Sequence, residues 1–176
     1  MIKKKLFIIF ATSFLLIILT FFYLLLIDRN PSEIPSALLN KKIPKFEAKS
    51  LINEKDFISS EIFGNEIILV NFFSSWCKPC RDEHKYLLDF SNKVKVVGIN
   101  YKDREEKALA WLKTSKNPYS YIAIDKNGKI AIDWGVYGIP ETFLINSKGV
   151  IKYRHAGPIN KKIFKKISLI IDEIKQ

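Results

Sequence analysis

The chain's two cysteines, Cys77 and Cys80, stand in the run Trp76-Cys77-Lys78-Pro79-Cys80. On a helix that spacing puts the sulfurs one turn apart, close enough to bridge, so the pair can switch between dithiol and disulfide. The switch needs an ionised sulfur, because the thiolate is the nucleophile of disulfide exchange. At a helix N-terminus a thiol faces free backbone N–H groups and the positive end of the helix dipole, which favour its ionised form. Cys77, nearer the tip and beside Lys78, is the expected exposed attacker. Cys80, one turn inside, is the expected buried thiol that resolves the mixed disulfide. Pro79 stiffens the turn where a helix needs no N–H donor. Glu83 follows Cys80 by one turn, where a carboxylate could take the proton of the resolving thiol; the alternative is a solvated first-turn acid favoured by the dipole.

This chemistry requires a helix that starts at the cysteines and a rigid element before it. Residues 67–73 (IILVNFF) form an apolar, β-rich run closed by Ser74 and Ser75, the pattern of a strand buried on both faces. Residues 79–90 then read as a helix with Tyr86, Leu87 and Phe90 on its core face. A second buried strand is expected over 94–99, and a second helix over 105–113 with Ala108, Leu109 and Leu112 inward. The βαβα alternation implies parallel pairing and an α/β fold. Residues 121–124 and 142–145 read as further strands, each followed by an Asp/Asn…Gly turn, and 150–153 as a hairpin return. Residues 130–134 fit either a strand or a short helix. Ile163, Ile167, Ile170, Ile171 and Ile174 trace one helical face near the C-terminus.

Other uses of the pair fit less well. Zinc needs two further ligands, and only His84 and His155 are on offer, without paired spacing. Covalent haem attachment through Cys-x-x-Cys-His is excluded, since Arg81 stands at the histidine position. An inert disulfide closing so short a loop would add little stability. A copper-delivery module on a similar scaffold is the rival from another class; it would hold stoichiometric metal and not cycle. No metal site and no cofactor beyond the redox-active pair are expected.

The N-terminus belongs to a different solvent. Lys3, Lys4 and Lys5 precede residues 6–27, which contain no charge, Gly or Pro. A helix of that length crosses a hydrocarbon core of about 30 Å. Without a small-residue cleavage site before Asp28 and Arg29 it reads as an uncleaved signal-anchor, with a cleaved signal as the alternative. The lysines keep the short end cytoplasmic. Residues 28–43, with Pro31 and Pro35, read as a tether, and 44–176 as the folded domain, beginning near Phe46. The net charge of +11 invites a nucleic-acid reading. Its lysines, however, are strung along the chain without aromatic platforms, so a solvated basic surface, attractive to anionic headgroups, is the simpler account.

Residues 71–80 (NFFSSWCKPC) and 135–143 (GVYGIPETF) resemble the membrane-anchored, thioredoxin-like proteins of the TlpA/ResA type. With 81–84 (RDEH), 98–103 (GINYKD) and 153–157 (YRHAG), the chain is more narrowly similar to the DsbE/CcmG family of cytochrome c maturation, over about residues 44–175. The resemblance implies a thioredoxin-like α/β fold, a central mixed sheet flanked by helices, after one transmembrane helix. It implies a single-pass protein of the bacterial inner membrane whose domain faces the periplasm. There it would reduce apocytochrome c, directly or through a CcmH-type partner, with electrons from a DsbD-type reductase. A general disulfide reductase of the TlpA/ResA type is the nearest alternative.

The resemblance also places residues. Alone, Ile139-Pro140 reads as an ordinary trans turn; in its context it resembles the cis-proline that faces the cysteine pair and frees Ile139 to bind an extended substrate strand. It supports Glu83 as the proton acceptor, because neutral Asn71 stands where thioredoxin carries a buried aspartate. Glu141 would lend partner selectivity, against an exposed charge. Trp76 would shield the sulfurs or belong to the core. Tyr137 and Asn100 are expected to be structural residues near the groove, His84 a helix-surface residue and His155 an end-of-strand residue.

Overall fold

Ile68–Phe73 is buried at every position, as an apolar run without alternation requires of a strand covered on both faces. The computed structural model describes residues 2–26, 37–53 and 55–175. In chain order the elements are α1 (Ile2–Leu26), β1 (Glu47–Lys49), β2 (Asp56–Ile58), α2 (Ser59–Ile62), β3 (Ile68–Phe73), α3 (Lys78–Ser91), β4 (Lys95–Tyr101), α4 (Glu105–Ser115), β5 (Tyr121–Asp125), α5 (Lys129–Asp133), β6 (Glu141–Ile145), β7 (Ile151–Ala156) and α6 (Lys161–Lys175). Helix α1, by itself, is long and apolar enough to cross a membrane over Lys3–Leu24.

The main sheet has the order β5-β4-β3-β6-β7. β3 pairs in parallel with β4, and β4 with β5, each connection carrying a helix; β6 joins β3 antiparallel and β7 closes the hairpin. β1 and β2 form a small antiparallel pair beside the β5 edge, where Ser50 bridges Ala123. On the opposite edge the Asn40 N–H donates to the Ile151 carbonyl at 2.8 Å and the Ile151 N–H to that of Lys41 at 2.9 Å. The fold therefore takes in the chain before the expected boundary at residue 44, and Leu38 and Ile43 pack on the core. Of the expected tether, residues 28–36 lie outside the described residues.

Alternate β3 side chains supply two cores. Leu69 and Phe73 face Leu87, Phe90, Trp111, Tyr119 and Ile167, whereas Ile68, Val70 and Phe72 face Phe46, Phe63, Trp134 and Phe143. In α4 the buried residues are Ala108, Trp111 and Leu112, and Leu109 is exposed, contrary to expectation. The inward stripe runs i, i+3, i+4 from Ala108, and Leu109 stands about 100° off it. Residues 129–133 are helical because Asp125 accepts the N–H groups of Ile130 and Ala131 at 3.2 and 2.9 Å, after a left-handed Gly128.

Gly98 lets the site side of the core close. A Cβ there would lie 2.7 Å from the Phe73 ring and 3.0 Å from that of Tyr119, two rings stacked at 4.6 Å. Gly98→Ala is expected to cost about 1–3 kcal/mol by overpacking, read as a lowered denaturant midpoint at unchanged slope.

Candidate active site

β3 delivers the chain through Ser74 and Ser75 to Cys77, which has extended backbone and caps α3: its Sγ accepts the Cys80 N–H at 3.2 Å. Pro79 occupies the first turn. Cys77 and Cys80 are disulfide-bonded, with Cα atoms 5.3 Å apart. The expected contrast in exposure is small in this oxidised form, since Cys77 is 4% and Cys80 1% exposed. Trp76 is 60% exposed, so it is not core, and its Nε1–H donates to the Lys102 carbonyl at 3.2 Å.

The loop before Cys77 is clamped by the loop after β4. Asp103 accepts the Ser75 N–H at 2.5 Å and the Ser75 hydroxyl at 2.9 Å, and is itself held by Asn100 at 3.1 Å. The Ser74 hydroxyl donates to the Tyr101 carbonyl, and Arg81 donates to the Ser75 carbonyl at 2.9 and 2.5 Å. Sequence reasoning did not assign this role to Asp103; its only signal was its place in the 98–103 motif. Asn100 is buried, and the bond to Asp103 is its contact with this clamp.

Glu83 is fully buried, which rules out a solvated first-turn acid. Its carboxylate accepts from Asn71 Nδ2 at 2.8 Å and from the Ile159 N–H at 2.7 Å. Burial pushes its pKa to about 7, against the lowering effect of those two donors. Asn71 is used on all sides: Nδ2 also donates to Thr142 at 3.0 Å, and Oδ1 accepts the Tyr119 hydroxyl at 2.9 Å. The same burial, with Glu83 nearby, holds the Tyr119 hydroxyl well above its usual range.

The Ile139-Pro140 bond is cis. Glu141, one residue on, is not an exposed charge: it is fully buried and paired with Arg154, which also donates to the Gly135 carbonyl at 2.9 Å. Desolvation raises its pKa against the Arg154 guanidinium. Arg154 lies 5.2 Å from the ring centre of Tyr137, which is 78% exposed. His84 is not on the surface either; Trp111 packs on it, and its Nε2 donates to the Ser115 and Lys116 carbonyls at 3.1 and 2.8 Å. His155, on β7, is buried, and desolvation lowers its pKa. Among the described residues no group of three His, Cys, Asp or Glu is placed to hold a metal.

A mixed sheet flanked by helices, with a bridged Cys-x-x-Cys at the junction of its central strand and the next helix, defines a thioredoxin-like thiol-disulfide oxidoreductase. The Redoxin family model matches residues 38–168. The chain is 43% identical over 137 residues to the thiol:disulfide interchange protein DsbE of Escherichia coli (strain K12), covering 77% of this chain and 74% of that one. To the DsbE of Yersinia pestis it is 40% identical over 166 residues, 92% and 88% of the two chains. The crystal structure of a candidate DsbE from Chlorobium tepidum superposes with a TM-score of 0.68 at 23% identity, over 77% of this chain and 97% of that one. The chain belongs to the DsbE family of thiol:disulfide interchange proteins, within the Redoxin family.

Proposed function

We propose that this oxidoreductase is the membrane-anchored reductant of cytochrome c assembly, keeping the haem-attachment cysteines of apocytochrome c reduced, directly or through a CcmH-type partner. The likeness to DsbE proteins over most of the chain carries this reading. The apolar helix α1, preceded by Lys3, Lys4 and Lys5, supports an inner-membrane anchor with the domain in the periplasm.

In the reaction the Cys77 thiolate attacks a partner disulfide, bonding to one partner sulfur and expelling the other as thiolate. Cys80 then gives its proton to Glu83 and attacks the Cys77 sulfur, releasing the second partner thiolate and leaving the Cys77–Cys80 disulfide. The partner gains two electrons, and a DsbD-type reductase restores the dithiol. Trp76 flanks the approach, the Ile139 backbone before Pro140 pairs with the extended partner segment, and the buried Glu141–Arg154 pair supports that strand from beneath.

Cys80→Ser is expected to stop the cycle after its first step. Full-length variant in membranes should accumulate covalent complexes with apocytochrome c or a CcmH-type protein, visible on non-reducing gels and released by dithiothreitol. Capture of unrelated periplasmic proteins alone would move the assignment to a general reductase.

A further inference from the structure

Trp76, the residue before Cys77, is also one wall of a cleft of about 490 Å³ whose other walls are Lys102, Asp103, Arg104, Lys107 and Lys126. Four of its six residues are cations. Asp103, the one acid, has both oxygens committed inward: Oδ1 accepts from the Ser75 hydroxyl at 2.9 Å and the Arg104 N–H at 2.8 Å, and Oδ2 from the Ser75 N–H at 2.5 Å and Asn100 at 3.1 Å. Among the described residues the salt bridges are Lys95 with Glu66 and Arg154 with Glu141, so none of the four cations is ion-paired. Glu105 and Glu106, in the first turn of α4, are exposed but do not line the cleft. Like charges gathered on a concave wall repel one another and focus a positive potential. The shape is also set: Lys102 holds a left-handed backbone, φ 44°, and its Nζ lies 5.1 Å from the centre of the Tyr101 ring.

We propose that this cleft binds the carboxylate side chains of an acidic polypeptide segment flanking the partner's disulfide, and so selects acidic partners for Cys77. A membrane surface is the less suitable anion, because headgroups seated against Trp76 would lay the bilayer over the approach to the neighbouring cysteine. The inference rests on thiol–disulfide exchange at Cys77 and Cys80, not on the identity of the partner.

Two disulfide peptides, identical except that Asp and Glu in one replace Ser and Gln beside the cysteine in the other, test it against the reduced full-length protein in non-ionic micelles. At low ionic strength the acidic peptide should be reduced about 10-fold faster, and this ratio should fall toward one in roughly 0.5 M salt. The double variant Lys107→Glu, Lys126→Glu should likewise bring the ratio to one or below. Lys161→Glu with Lys162→Glu on α6, an equal change of net charge, should leave it intact. The neutral peptide's own rate reports the exchange chemistry, so failure of the cleft and failure of the chemistry are distinguishable. Equal rates for the two peptides at low salt, or a ratio that Lys107→Glu, Lys126→Glu leaves unchanged, would overturn the proposal. It would equally be overturned if that variant lost only its adsorption to phosphatidylglycerol vesicles.

Discussion

Cys77→Ser should abolish disulfide exchange, slowing reduction of a model disulfide by about 10³-fold or more, with little change in the fold. Exchange needs a thiolate, and a serine hydroxyl does not ionise in the accessible pH range. The position itself is tolerant. Cys77 serves as the cap of α3, its side chain accepting the Cys80 N–H at 3.2 Å, and serine is among the best capping residues. The helix start therefore survives while its nucleophile is lost, and circular dichroism should match the reduced wild type. Cys80 is not expected to substitute, because it lies within the first turn of α3 and not at its cap. Residual activity within tenfold of wild type would make Cys80 the attacker and reverse the two roles.

How much of this was legible in the sequence follows from how far apart the deciding residues lie. β3 announces itself, because a strand covered on both faces has no polar alternation to obscure it. The apolar helix α1 needs only length and apolarity. The five-residue α5 is different: its period is too short to read, and Asp125, just before the turn, decides it by capping Ile130 and Ala131. Leu109 and Trp111 in α4 differ by a rotation that an apolar count cannot resolve. The site shows the same division. Cys77, Cys80 and the face of Glu83 follow from local spacing, but the burial of Glu83 comes from Asn71 and Ile159, which are 12 and 76 residues away. Asp103 reaches Ser75 because parallel pairing sets Phe73 opposite Asn100, so the loops after β3 and β4 emerge side by side. The ion pair of Glu141 is not legible in local spacing, because its cation, Arg154, lies on the neighbouring strand of the hairpin.

The burial of Glu83 should be visible in stability as well as in rate. Below about pH 4.5 its carboxyl is protonated in both folded and unfolded chains; between 4.5 and about 7 the unfolded chain releases the proton and the folded one retains it. The folded state binds more protons throughout that window. Stability contributed by the neutral acid is thus fully present below pH 4.5 and is lost as pH rises to about 7, roughly 3 kcal/mol in all at 1.36 kcal/mol per pH unit. Glu83→Gln carries no charge at any pH and should remove this slope. Below pH 4.5 it should also cost about 1–3 kcal/mol, since one amide oxygen cannot accept from both Asn71 and Ile159, and this deficit should shrink toward pH 7 as the wild type loses its own contribution. Urea denaturation of oxidised full-length protein in micelles, from pH 4 to 8, checks both. The difference between wild type and variant isolates Glu83 from His155, whose lowered pKa gives a slope of opposite sign, and from Glu141, whose raised pKa gives one of the same sign. Rate supplies the second readout. If Glu83 takes the Cys80 proton, resolution of a Cys77-linked mixed disulfide should slow by about 10²-fold in the variant, while the first attack by Cys77 keeps its speed. A flattened stability slope with unchanged resolution would leave Glu83 a buried acid without a part in the exchange. An unchanged slope would place the retained proton on another group.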